Sequence, residues 1–182
     1  MKTPITILLF LLGSYLVRAA ELPVSTKEPV IVVAPDGWRS AKDQSPMAAA
    51  AAFETFQITP PVGRNAAVLV SILGTNKPQF ADPAMLKTIL RADCRPYVSA
   101  PGELPKVEIK ELKISGGVGF YANFVDPDLV GKPVKAGSYK TATPMILSIG
   151  TKTLIKATIL TDDLNGADQR EAMQIVESLK SK

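Results

Sequence analysis

The sequence predicts an α+β fold in which antiparallel strands pack against two helices. Three observations carry this. Most apolar residues fall in short β-branched runs bounded by Gly, Pro and Asp. Two of those runs are joined by Gly150-Thr151-Lys152, a loop that suits a hairpin. Helical spacing shows in only two places, after Asp82-Pro83 and at the close of the chain.

The chain opens with Met1-Lys2 and an apolar run from Pro4 to Val17, followed by Arg18-Ala19-Ala20. This pattern reads as a secretory signal peptide over residues 1–20, with cleavage after Ala20, although Arg18 fills a position that favours a small residue. The run is shorter than the ~20 residues that cross a hydrocarbon core. Residues 21–182 then form one expected domain, and the expected location is periplasmic or secreted. Because Lys2 and Arg18 of the 21 basic residues lie in the leader, 19 basic residues face 17 acidic ones. That near balance gives no reason to expect nucleic acid as a partner.

Residues 21–29 read as an extended lead-in, and Val30 to Ala34 as a strand. A loop is expected from Asp36 to Pro46. The alanines Ala48 to Ala52 favour a helix but run into Phe53 to Thr59, which looks extended, so a strand with an indefinite start is predicted. After the turn Pro60-Pro61-Val62-Gly63, Ala66 to Leu73 is apolar at both alternating positions, as in a strand covered on both faces.

Asp82 followed by Pro83 is an N-cap with proline at the first helical position, so a helix starts there with Leu86, Ile89 and Leu90 as its buried stripe. Pro96 limits it. Val107 and Ile109 are out of phase by one position with Leu112 and Ile114, which predicts a bulge. Val118 to Val125, Tyr139 to Ile149 and Thr153 to Leu160 are three further strands. Ala172, Ile175, Val176 and Leu179 mark an amphipathic closing helix, with Asp162-Asp163 placed to serve its N-terminus.

Gly117-Val118-Gly119-Phe120-Tyr121-Ala122 satisfies the G-x-G-x-x-[G/A] dinucleotide pattern, but the context is wrong. A pyrophosphate site needs a helix directly after the glycine turn, whereas the β-formers Phe120 to Val125 follow and Pro127 breaks any helix. Gly116, Gly117 and Gly119 are read instead as a tight turn between antiparallel strands. No cofactor is expected.

There is no histidine, which removes histidine triads and leaves zinc without its usual imidazole ligands. Neither Ser-x-x-Lys nor Gly-x-Ser-x-Gly occurs. Asp126-Pro127-Asp128 and Asp162-Asp163 offer carboxylates for acid–base work or calcium, yet each is more simply a solvated turn. Cys94 is the only cysteine, so no internal disulfide forms, and it is expected to be half-buried in a packing role, with Arg95 as the one neighbour able to lower its pKa. Trp38 is expected at a core edge, with the wall of a groove as its functional alternative.

The order of these elements, with Asp36-Gly37-Trp38, Gly119-Phe120-Tyr121, Asp128-Leu129-Val130-Gly131-Lys132-Pro133, Gly137-Ser138-Tyr139-Lys140 and Thr158-Ile159-Leu160-Thr161, resembles the PsbP-like fold. Photosystem extrinsic proteins and the Ran-binding Mog protein share that fold. The likeness is nearer to bacterial exported proteins of unknown function. It implies an α/β/α sandwich and a binding or assembly role rather than catalysis. The expectation is therefore a non-catalytic accessory protein that binds another protein or a peptide through Trp38, Arg39, Tyr121, Asn123, Asp126 and Lys140. A small-ligand carrier with a groove between sheet and helix is the alternative, and a weak hydrolase using Asp or Cys94 comes third.

Overall fold

Apolar residues at every second position fix which side of a strand is buried, and here the pattern serves two cores, one on each face of a single sheet. The computed structural model describes residues 20–23, 30–43, 53–98, 106–135 and 137–181. The expected leader, apart from Ala20, and the Ala48 to Ala52 stretch lie outside these residues. No helix among the described residues is long and apolar enough to cross a membrane.

The chain begins with β1 (Ala20–Pro23) and β2 (Val30–Ala34), followed by β3 (Arg39–Lys42), β4 (Glu54–Thr59) and β5 (Ala67–Gly74). Helix α1 (Pro83–Asp93) leads through a short 3-10 turn at Arg95–Tyr97 to β6 (Lys110–Ile114), β7 (Gly117–Tyr121) and β8 (Phe124–Val125). The hairpin of β9 (Thr141–Ile149) and β10 (Thr153–Thr161), helix α2 (Ala167–Glu177) and β11 (Lys180–Ser181) complete it. The main sheet runs β3-β4-β5-β10-β9-β7-β6, with β8 also paired to β9, and all its pairs are antiparallel. A second, small sheet has the order β1-β2-β11.

Helix α1 packs on β9 and β7, burying Leu86 and Leu90 against Phe120, Ile146 and Leu154. Asp82 caps it, its carboxylate accepting from the Ala84 N–H at 2.8 Å. Helix α2 packs on β10 and β2, with Ala172, Ile175 and Val176 against Val68, Val70, Met145, Leu147 and Ile159. This is the expected α/β/α arrangement, with β2 and its small sheet beside α2. A Leu or Ile moved fully out of water is worth roughly 1.5–3 kcal/mol, so each layer depends on a few such residues.

Several expectations are corrected. The Asp36 to Pro46 loop contains β3, which pairs with β4 through Arg39↔Thr59 to Lys42↔Phe56. The bulge near Leu112 is absent: the β6–β7 register is continuous, and the phase change arises because Val107 and Ile109 pack with the α1 core while Leu112 and Ile114 pack with the α2 core. Strand β5 is fully buried at Val68, Val70 and Ile72, but Leu69 and Leu73 on its other side are only half-buried. Helix α2 starts at Ala167 after the N-cap residue Gly166, without a side-chain cap from Asp162 or Asp163.

The expected Val118 to Val125 strand divides into β7 and β8 with no slip of register, since Tyr121 faces Met145 and Phe124 faces Ala142. Ala122 still donates its N–H to the Pro144 carbonyl at 3.2 Å. Pro144 has no N–H to return, and the ladder lapses there.

Ser178 fastens the end of α2 to β2. Its hydroxyl oxygen accepts from the Val33 N–H at 2.7 Å and lies 2.7 Å from the Ile175 carbonyl.

Candidate functional site

Glycine at 116 and 117 makes the β6–β7 hairpin rather than a phosphate cradle. Gly116 has φ 73°, a left-handed turn conformation that glycine adopts without cost. A Cβ on Gly117 would overlap the Ser148 carbonyl oxygen of β9. The two glycines thus serve a turn and a close strand approach.

The six residues expected to form one binding face are spread over four places. Trp38 is 4% exposed and belongs to the α2 core, where its indole Nε1 donates to Glu171 Oε2 at 3.0 Å and Arg64 lies 5.5 Å from its ring. It presents no face to a partner. Arg39 is exposed on β3, at the far edge of the sheet from the remaining four residues. Tyr121 and Asn123 line a groove of about 320 Å³ beside α2, together with Gln169, Arg170 and Met173. Asp126 and Lys140 do come together, with the Asp126 N–H donating to the Lys140 carbonyl at 2.8 Å.

That last contact closes the base of a long loop, residues 126–140, between β8 and β9. Connections of this length are uncommon unless they serve binding or a compact Ω-loop. Asn65 holds the returning limb: its Nδ2 donates to the Ser138 carbonyl at 2.8 Å and to the Asp162 carboxylate, and its Oδ1 accepts from Gly137 N–H. At the start of the loop, Asp126 Oδ1 accepts from the Asp128 N–H at 2.9 Å, a local Asx turn.

Between this loop and the 3-10 turn after α1 lies a groove of about 470 Å³. Its floor includes Ala142 and Leu160 from neighbouring positions of β9 and β10, and Pro96, Tyr97, Phe124, Val125, Asp126, Asp128, Tyr139 and Lys140 contribute to its lining. Tyr97 and Phe124 stack with ring centres 5.1 Å apart and planes at 22°. Tyr97 is 39% exposed and Val125 49%, while Val130, in an adjoining groove of about 340 Å³ that shares Val125, Lys140 and Thr141, is 60% exposed. Exposed apolar side chains are unremarkable singly, but three at one end of a sheet mark a surface suited to binding.

Burial, with nearby Cys94 and Asp93 adding to it, holds the Tyr97 hydroxyl above its usual pKa, so it remains a protonated donor. Cys94 itself is fully buried rather than half-buried, because it follows α1 on the same stripe as Leu90. Burial, with Asp93 adding to it, raises its thiol to about 11. Arg95 does not reverse that, and the thiol is poorly suited to nucleophilic attack. Among the described residues, no group of three or more Cys, Asp or Glu side chains is placed to hold a metal ion.

Tyr97, Phe124, Val125 and Tyr139 were not singled out by the sequence. A usable signal exists for two of them: Tyr97 directly follows Pro96 where a helix must stop, and Tyr139 lies in a loop too long for a simple hairpin.

No protein-family model and no curated protein matches the chain. Among solved structures, the solution structure of cyanobacterial PsbP (CyanoP) from Synechocystis sp. PCC 6803 is similar, with a TM-score of 0.55 at 11% identity. The match covers 93% of this chain and 96% of the other. The fold is PsbP-like.

Proposed function

We propose that this chain is an exported, non-catalytic accessory protein that docks a segment of another protein in the groove between the 126–140 loop and the Arg95–Tyr97 turn. The observation that carries the reading is the groove itself, about 470 Å³ in volume, with the exposed Tyr97 and Val125 on its lining. Aromatic anchors in a partly desolvated pocket are the usual source of binding energy at protein interfaces. The leader-like start supports export to the periplasm or medium, and the PsbP-like fold is compatible with an accessory role.

The test compares capture of cell-envelope proteins by the wild-type chain and by Val125→Asp, a change at an exposed position. A partner held by the wild type and released by Val125→Asp is the expected result. Equal capture by both would place the interaction elsewhere. A small-ligand carrier is the second reading, favoured by a volume within the ~300–1,000 Å³ usual for ligand pockets. Native mass spectrometry of the purified protein, showing a retained small molecule and no protein partner, would select it.

A further inference from the structure

We propose that the occupant of this groove is a proline-rich segment in the polyproline II conformation bearing a basic side chain; this rests on the groove being a protein-docking site. The first argument concerns backbone hydrogen bonds. Adding a strand needs an open ladder edge, but the floor strands β9 and β10 are already paired on both sides, β9 by β10 and by β7 and β8, β10 by β9 and β5, and β8, paired to β9 alone, leaves an edge of only two residues. A peptide lying on that floor must bring a backbone that asks for no ladder. Polyproline II has no internal hydrogen bonds, and its prolines carry carbonyls without N–H groups.

The polar groups of the groove suit that backbone. The hydroxyls of Tyr97 and Tyr139 make no hydrogen bond with a described residue, and as donors they match bare carbonyls. The stacked Tyr97 and Phe124 rings, with Tyr139 beside them, provide the flat apolar faces on which proline rings pack. Asp126 and Asp128 are exposed carboxylates in no ion pair with a described residue, against the single ammonium of Lys140. Although Arg95, Lys132 and Lys135 lie in the bounding segments, the residues that line the groove itself carry one net negative charge, which favours a basic side chain on the ligand beside Asp126 and Asp128.

The probes are the peptide Ac-Pro-Pro-Val-Pro-Pro-Arg-amide, its Arg→Glu counterpart and a threonine–valine peptide of equal length, titrated into the full chain expressed with its own leader. Amide chemical shifts are followed by NMR and affinity by calorimetry. The arginine peptide is expected to shift residues around Tyr97, Val125 and Tyr139, and to bind about fivefold more tightly than the glutamate peptide, as for an exposed ion pair. The threonine–valine peptide shifts nothing. Tyr97→Ala weakens binding about tenfold, Tyr97→Phe gives a smaller loss with the stack kept, and the Asp126→Asn/Asp128→Asn pair removes the preference for arginine.

Equal binding of all three peptides, or proline binding unaffected by Tyr97→Ala, would overturn the assignment. If no proline probe binds while Val125→Asp still releases a captured envelope partner, this inference fails and the docking reading stands. If neither is seen, both fail.

Discussion

Gln169 on α2 and Thr143 on β9 meet inside the protein, the amide Nε2 donating to the threonine hydroxyl at 3.2 Å. Their partners continue in one direction on each side. Thr141 donates toward Thr161, which donates to Gln169 Oε1 at 2.9 Å, while Thr143 donates to Asn123 Oδ1 at 3.1 Å. Four of these side chains are at most 5% exposed, and no buried side-chain polar atom among the described residues lacks a partner.

Gln169→Leu therefore takes the acceptor from the Thr161 hydroxyl and a donor from the Thr143 hydroxyl, both buried, and is expected to cost about 1–3 kcal/mol, read from urea unfolding. Gln169→Glu keeps the shape but replaces the donor to Thr143 with an oxygen and buries a charge. Its folded-state pKa is raised, so the folded protein holds the proton longer. Its stability relative to wild type falls as pH rises above the unfolded value of about 4.3, which parallel melts at pH 4 and pH 7 would reveal.

Glu171 shows the opposite linkage. Burial raises its pKa, but hydrogen bonds from Arg64 and Trp38 outweigh that and leave the carboxyl below its usual range. The stabilising contribution is present above the unfolded pKa and disappears as pH falls through the folded one. Glu171→Gln should be less stable than wild type at pH 7, with the gap in urea midpoint closing well below pH ~4.3. A gap independent of pH would mean that shape, not charge, holds the cluster.

Cys94 should be silent in the native state. With the thiol at about 11, thiolate is only about one part in a thousand at pH 8, and the side chain is fully buried. Alkylation is expected to be undetectable over minutes in buffer and complete in denaturant, as measured by intact mass. Rapid native labelling would show that the α1 end opens readily.

The two hairpin glycines should differ in their response to alanine. Gly117→Ala drives a Cβ into the Ser148 carbonyl oxygen and is expected to destabilise by about 3 kcal/mol, the upper range for overpacking. Gly116→Ala meets no atom within 4 Å and bears only the strain of φ 73°, worth about 1–2 kcal/mol. Thermal melts of both variants would rank them.

Elements that bury a full face were readable in the sequence. Asp82-Pro83 located the start of α1, and the Gly150-Thr151-Lys152 loop located the β9–β10 hairpin, because caps and turns rest on chemistry local to a few residues. β3 escaped because Arg39-Ser40-Ala41-Lys42 is an edge strand with little to bury, so no apolar alternation exists to be read. The single assignment of Val118 to Val125 missed Pro144, whose effect appears only when β9 lies alongside. The groove was hidden for the same reason: Tyr97, Val125, Tyr139 and Leu160 come from separate elements, and only the sheet registers bring them together. Trp38 lies at the core edge as expected, but Arg64 and α2 cover it, so the groove-wall alternative is not what its setting supplies.

The Ser178 hydroxyl serves the Val33 N–H across 145 positions of chain, and β11 supplies the second neighbour of β2. During synthesis, the early strand stays without these partners until the far segment has been made. So large a sequence separation favours slow closure over local assembly. The early strand therefore emerges only partly satisfied, and the small sheet closes only once the segment carrying Ser178 and β11 has been made.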